Sequence, residues 1–211
     1  MSGPNEPNGA GLSERGQEPY GDIPTDPDAF LAWGANLDRH HPYKYELSRG
    51  RVSRMMIHVS RAHWRISSSI LGELLKKLDL TRFETGAAEF GVETPVGVRF
   101  PDVVVDRVSE RLKDYACEAP IFIAEVLSPS TAVLDVTTKL REYTAIPSLK
   151  TYLVCSQDEP RAWVWARNAD DYFPIDAEEF VGRDGAIPLV GLNIELSMAA
   201  VFRGIPDGPT P

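Results

Sequence analysis

Two carboxylates stand where strand propensity does not place them. Asp102 follows Pro101 inside "RFPDVVV", and Glu125 sits inside the apolar run "IFIAEVL". A buried carboxylate is costly unless something pairs with it. Pro101 cannot donate to a sheet ladder, so it marks a strand edge or a bulge next to Asp102, and bulges re-aim side chains. If the two strands are neighbours, the carboxylates converge. At close range they repel unless a cation lies between them. Oxygen-only ligands suit Mg2+ or Mn2+, and such a site also needs a positive group to orient water. Lys139 is the nearest candidate, one helical turn after Asp135 on the helix that follows Glu125.

Each residue also has a plainer reading. Glu125 could pair with an arginine for structural reasons, Asp102 could cap backbone N–H groups at a turn, and Lys139 could be a solvated helix lysine. Asp135 reads first as a helix cap rather than a metal ligand. Ser128 and Ser130 have no nearby His–Asp set, which argues against a serine hydrolase. Trp163 and Trp165 lie two apart on one strand face, as a stacking surface or, more simply, a packed face.

These residues depend on the elements that carry them. "YKYELSRGRVSRMMI" (43–57) reads as a hairpin turning at Arg49-Gly50. Ile66, Ile70, Leu71, Leu74, Leu75 and Leu78 recur at helical spacing over 63–78, with Ser60 as a cap. A short helix is expected from Thr25 to Trp33, capped by Thr25. Strand-like stretches follow at 83–92, 97–106 and 119–127, the last apolar enough for burial on both faces. A helix over about 133–145 leads to another buried strand at 150–156, so 119–156 forms a parallel strand–helix–strand crossover. "RAWVWAR" (161–167) alternates and reads as an outer strand. Residues 1–24 read as a disordered arm, 25–203 as one domain and 204–211 as a frayed tail.

The 211 residues suffice for one domain with a real core. Composition is that of an ordinary globular chain, without the roughly 18-residue apolar run of a membrane span or a signal-peptide core. The expectation is a cytoplasmic protein. Cys117 and Cys155 form no CxxC pair, so a structural zinc site is not expected. The net charge of −9 argues against a strong nonspecific nucleic-acid binder. The basic region is local: Arg49, Arg51, Arg54, Arg61 and Arg65 occur over 49–65 with no acid among them.

The stretches "YELSRGRV", "RAHWRISSSILGELL", "RFPDVVV", "AEVLSPSTAVLDVTTKLREYTAIPSLKTYLV" and "EPRAWVW" resemble the PD-(D/E)XK nuclease superfamily. More narrowly, they resemble its Uma-type restriction endonuclease family, over most of residues 43–167. The string EVLSPST…D…K…Y…PSL is the specific part of the match. The resemblance implies an α/β fold with a restriction-endonuclease-like core: a mixed β-sheet flanked by helices, with extra antiparallel strands. It implies a metal-dependent endonuclease that hydrolyses phosphodiester bonds in nucleic acid, double-stranded DNA for preference, with Mg2+ or Mn2+.

Asp102 and Glu125 match the family's metal-binding acids, and the backbone carbonyl of Val126 would be a further ligand. The superfamily lysine usually lies two residues after the second acid. Here that position is Leu127, and Lys139 matches the Uma-type lysine on the next helix. Glu46 matches the acid of the family hairpin, where Arg49 replaces a frequent Asp, and it stands equally as a hairpin salt-bridge partner. His63 matches a histidine at the start of the first long helix, and Tyr143 falls near the site or in the core. The five arginines would contact backbone phosphates. A homodimer through the outer "RAWVWAR" strand would suit cutting of both strands. Two other readings stand beside this one: a catalytically degenerate scaffold, and a small hydrolase of another phosphodiester.

Overall fold

The computed structural model describes residues 22–37, 43–56, 58–87, 89–117, 119–127 and 134–208. Most of the expected N-terminal arm, Ser128, Ser130 and the end of the expected tail lie outside these residues. Helix α1 (Pro27–Ala35) starts at Asp26, whose side chain accepts from Ala29 N at 3.0 Å. The cap is thus one residue later than Thr25. Strands β1 (Tyr43–Ser48) and β2 (Arg51–Met56) form the expected hairpin. Its turn places Arg49 and Gly50 at φ 51° and 69°, the left-handed pair that a two-residue hairpin of this twist requires.

Helix α2 (Arg61–Lys77) is capped by Ser60, which accepts from His63 N at 3.1 Å. Ile66, Ile70 and Leu74 are fully buried along one stripe, whereas Leu75 is half exposed on the opposite side. Two stretches that read as single strands each divide in two. The 83–92 stretch becomes β3 (Phe83–Ala87) and β4 (Gly91–Thr94), and the 97–106 stretch becomes β5 (Gly97–Arg99) and β6 (Val103–Arg107). In the second case Pro101 breaks the ladder, and the chain crosses between sheets at Phe100-Pro101-Asp102.

After β7 (Ala116–Cys117) comes β8 (Phe122–Leu127), then α3 (Leu134–Thr144) and β9 (Thr151–Ser156). Strands β8 and β9 pair in parallel, as the crossover requires. The chain continues through β10 (Arg161–Ala166), β11 (Glu178–Val181), β12 (Ala186–Leu189), β13 (Ile194–Ser197) and a short α4 (Met198–Val201).

Three sheets result: β11-β10-β9-β8-β6-β3, β2-β1-β5-β4-β7, and the pair β12-β13. The six-stranded sheet is mixed and central. Alternation along β8 sends Phe122, Ala124 and Val126 toward α2 and Ile123 toward Tyr143 and Ile146 of the α3 side. Each fully buried Ile, Leu or Phe contributes about 1.5–3 kcal/mol, so these two layers clamp β8 from both faces. Helix α1 covers the five-stranded sheet, with Phe30 against Tyr45, Leu47 and Val98.

Two further expectations change. The "RAWVWAR" strand is not an outer strand. As β10 it lies between β9 and β11, with Trp165 buried and stacked on Tyr152 at 5.7 Å. Its alternation comes from packing on both sides rather than from a solvent face, so it offers no dimer edge. Residues 204–208 are anchored rather than frayed: Ile205 is buried, and Arg183 donates to the carbonyls of Phe202 and Ile205 and pairs with Asp207 at 2.8 Å.

Candidate active site

The site forms at the carboxyl end of β8, where β6 has already stopped. The antiparallel register runs Val105↔Phe122, Val104↔Ile123, Val103↔Ala124. Beyond Ala124 the place of the next ladder residue is taken by a side chain: Val126 N donates to Asp102 Oδ2 at 2.7 Å. In an extended strand a residue's N–H and C=O face the same neighbour, so the Val126 carbonyl is directed to this same gap. Pro101 therefore has a definite role. It ends β6 and turns the Asp102 carboxylate onto the end of β8.

Three further elements close around the gap. From α2, His63 Nε2 lies 3.0 Å from Asp102 Oδ2, while its buried Nδ1 has no partner among the described residues. From α3, Lys139 Nζ lies 3.1 Å from Glu125 Oε1, and Tyr143 donates its hydroxyl to the same oxygen at 2.9 Å. From β1, Glu46 Oε1 lies 3.7 Å from Lys139 Nζ. The structure thus brings together Asp102, Glu125, Lys139, Glu46, His63, Tyr143 and Val126. Lys139 and Tyr143 are four apart and so share one helix face, which is why both reach Glu125. The side chain of Asp135 lies outside the described residues.

Behind this group is a buried ion cluster that sequence reasoning missed. Arg99 donates from Nη1 to Glu46 Oε2 at 2.8 Å and from Nε to Glu142 Oε2 at 2.7 Å. Ser48 Oγ donates to Glu142 Oε1 at 2.6 Å, and Phe100 N to Glu46 Oε1 at 3.3 Å. Lys44 donates to the carbonyl of Phe100 at 3.0 Å. One guanidinium thereby joins β1, β5 and α3, and the two carboxylates hold it firmly charged despite its burial. The signal was modest: Arg99 two residues before Pro101, and Glu142 next to Tyr143 on the inward side of α3.

Burial dominates the electrostatics. It pushes the Glu125 carboxyl up to about 7; Lys139 opposes that rise, while Asp102 and Glu46 reinforce it. Burial also raises Tyr143, which keeps its hydroxyl a donor, and lowers Lys44 against the pull of Glu46, Glu125 and Asp102.

The donor set fits a hard divalent cation. Among the described residues, the bonds to the two acids fall on Asp102 Oδ2 and Glu125 Oε1, so each keeps its other oxygen for a ligand. Two carboxylate oxygens and the Val126 carbonyl are oxygen donors without sulfur, which matches Mg2+ or Mn2+. No group of three or more His, Cys, Asp and Glu side chains forms a ready cage among the described residues. A sparse set of this kind suits Mg2+, which keeps several of its waters.

The five arginines do not form one patch. Arg49, Arg51 and Arg54 are exposed on the β1–β2 hairpin, with Arg54 over the Tyr43 ring at 4.3 Å. Arg61 is exposed at the start of α2. Arg65 donates to the Gly204 carbonyl at 2.7 Å and so anchors the C-terminal segment.

A family model described as Uma2, "Putative restriction endonuclease", matches residues 27–199. The chain belongs to the Uma2 family. The crystal structure of a "putative nuclease belonging to DUF820" from Anabaena variabilis superposes with a TM-score of 0.61 at 18% identity, covering 82% of this chain and 96% of that one. At that identity the likeness speaks for the fold alone: a mixed α/β core with sheets flanked by helices. No curated protein matches the chain. No helix among the described residues is long and apolar enough to cross a membrane.

Proposed function

We propose that this Uma2 protein is a metal-dependent endonuclease that hydrolyses phosphodiester bonds in nucleic acid, with double-stranded DNA as substrate and Mg2+ or Mn2+ as cofactor. The supporting observation is the convergence at one strand end of Asp102 and Glu125, each with one oxygen outside its bonds to the described residues, beside the Lys139 ammonium. Asp102, Glu125 and the Val126 carbonyl would hold the cation. When bound, it would lower the pKa of a water and neutralise charge on the phosphate.

The protein's own residues do the rest. Tyr143 and Lys139 fix the Glu125 rotamer through Oε1. Asp102 is held by Val126 N–H and His63. Lys139 orients the attacking water and adds positive charge where the phosphate oxygens become more negative. Glu46, tied to Arg99, keeps Lys139 in place. A homodimer would pair two such sites for both strands. The open edges of the central sheet are β3 and β11 rather than β10, and light scattering tests the assembly.

The deciding experiment is Mn2+ and Mg2+ calorimetry on the wild type and on Asp102→Ala/Glu125→Ala, followed by plasmid cleavage. Binding and cleavage that both vanish in the double variant are expected. Metal binding and cleavage that survive it would overturn the assignment. A wild type that binds neither metal, even with a noncleavable duplex present, would favour a degenerate scaffold. Turnover of free nucleotide diesters in preference to DNA would favour the small-substrate hydrolase.

A further inference from the structure

The outer face of α2 carries a groove of about 530 Å³ against the segment after α4. Its charge is opposite in sign to that of the chain as a whole. The protein has a net charge of −9, yet Arg65, Lys76 and Arg203 line this groove against one carboxylate, Glu73, which pairs with Lys76 at 3.0 Å and with Lys77 at 3.2 Å. Arg61 shares the same helix face, one turn before Arg65. Arg203 is exposed, and the Lys76 side chain is 72% exposed.

Trp64 is 58% exposed at one end of the groove. It adjoins His63, which touches Asp102. Ser68 and Gly72 lie between Trp64 and Lys76, and a Cβ added at Gly72 would meet nothing within 4 Å. The middle of the groove is therefore flat and open. On the far wall, Arg65 is committed to the Gly204 carbonyl. Gly204 has φ +74°, and a Cβ there would come within 2.6 Å of the Arg65 guanidinium, so the wall is built to fit that contact.

We propose that this groove carries a single strand of the nucleic acid flanking the cleaved phosphate, with Trp64 stacked on an unpaired base. The proposal rests on the nuclease reading and extends it to the path of the substrate. A cationic track with an exposed aromatic is how proteins hold single strands without reading sequence: the cations follow the backbone and the ring accepts any base face. The groove begins beside the first turn of α2, which already contributes His63 to the site. A large exposed indole is poorly explained by packing, and an excess of cations in an acidic protein is poorly explained by solubility.

The test uses the full-length protein in EDTA, so that nothing is cut, with a short oligothymidylate and a duplex of the same length. Trp165 is buried and Trp33 and Trp163 are partly buried, so quenching of tryptophan fluorescence reports on Trp64. The single strand should quench strongly and the duplex weakly. Trp64→Phe should remove the signal while keeping most of the affinity, and Trp64→Ala should weaken binding about tenfold. Lys76→Gln/Arg203→Gln should reduce the slope of log affinity against log salt by about 1.4, near 0.7 for each lost contact. Thermal unfolding confirms that these surface variants fold.

Parent-like affinity and slope in all variants would overturn the groove and leave the nuclease reading standing. So would tight single-strand binding without quenching. A wild type that binds neither oligonucleotide would overturn the groove, while the nuclease reading is decided separately by the Mn2+ and Mg2+ binding and cleavage assays.

Discussion

Glu125 is a carboxylate that the fold prefers protonated and the proposed chemistry needs ionised. Burial raises its pKa from the ordinary 4.5 to about 7, so between those values the native state holds a proton that the unfolded chain has released. Stability of the metal-free protein therefore falls as pH rises through that window. Thermal unfolding in EDTA should show the wild type losing ground to Glu125→Gln between pH 5 and pH 8. Metal binding runs the other way, because the cation displaces the proton. Mn2+ affinity should climb about tenfold per pH unit below 7 and flatten above it, read by calorimetry. Lys139 enters twice. As the group that opposes the rise of Glu125, its loss in Lys139→Ala should weaken metal binding near neutral pH and leave it nearly intact at pH 8.5. As the group that orients water, its loss should lower cleavage by about 10²–10⁴-fold at either pH. Cleavage restored at pH 8.5 along with metal binding would reduce Lys139 to a tuner of Glu125.

At the scale of elements, the site depends on a junction between two sheets. Strand β5 meets β1 at Leu47↔Val98 and Ser48↔Gly97, and a Cβ on Gly97, at φ +154°, would lie 2.1 Å from the Leu47 carbonyl oxygen. Gly97→Ala must push β1 and β5 apart and take Glu46 and Arg99 with them, so soluble yield and Tm should drop sharply. Arg99 is the second fastener. Removing it leaves Glu46 and Glu142 buried without their cation, which costs about 3–5 kcal/mol, and Arg99→Met should show this in denaturant unfolding. Arg99→Lys should rescue only part, because one ammonium cannot present the guanidinium's two directed donors to two carboxylates. Such contacts explain which parts were legible in the sequence. The β8–α3–β9 unit could be read because its pattern is local: a continuous apolar run, a helical period, another run. The PD…E…K…Y order, together with the family resemblance, then placed Asp102, Glu125 and Lys139. Arg99 and Glu142 were illegible because their meaning comes from partners 43 to 53 residues away, and single charges in strands or helices carry no periodic signal. The split of β5 from β6 was readable in part, since Pro101 was noted as an edge or bulge marker, but that it separates two sheets depends on where the next strands pair.

For the molecule as a whole, net charge opposes the proposed substrate. A chain at −9 repels a polyanion at long range, so association depends on local fields that salt screens beyond about 10 Å at 0.1 M. Two basic surfaces lie on elements that also contribute to the site: the outer face of α2, and the β1–β2 hairpin, on which Arg49 and Arg51 are exposed at the turn end while Glu46 is buried further along β1. The hairpin thus links substrate contact to catalytic geometry through one short element. Arg49 also holds a positive φ in the turn, a conformation that glycine would take with less strain. Its side chain, rather than its backbone preference, is then the reason for an arginine there. Arg49→Gly/Arg51→Gln should fold at least as stably as the wild type, and its metal affinity should not change. Its affinity for a noncleavable duplex should fall, and the salt slope should decrease by about 1.8, near 0.9 for each lost phosphate contact. An unchanged slope would mean that duplex does not lie along the hairpin and that cations elsewhere on the surface supply its electrostatic attraction.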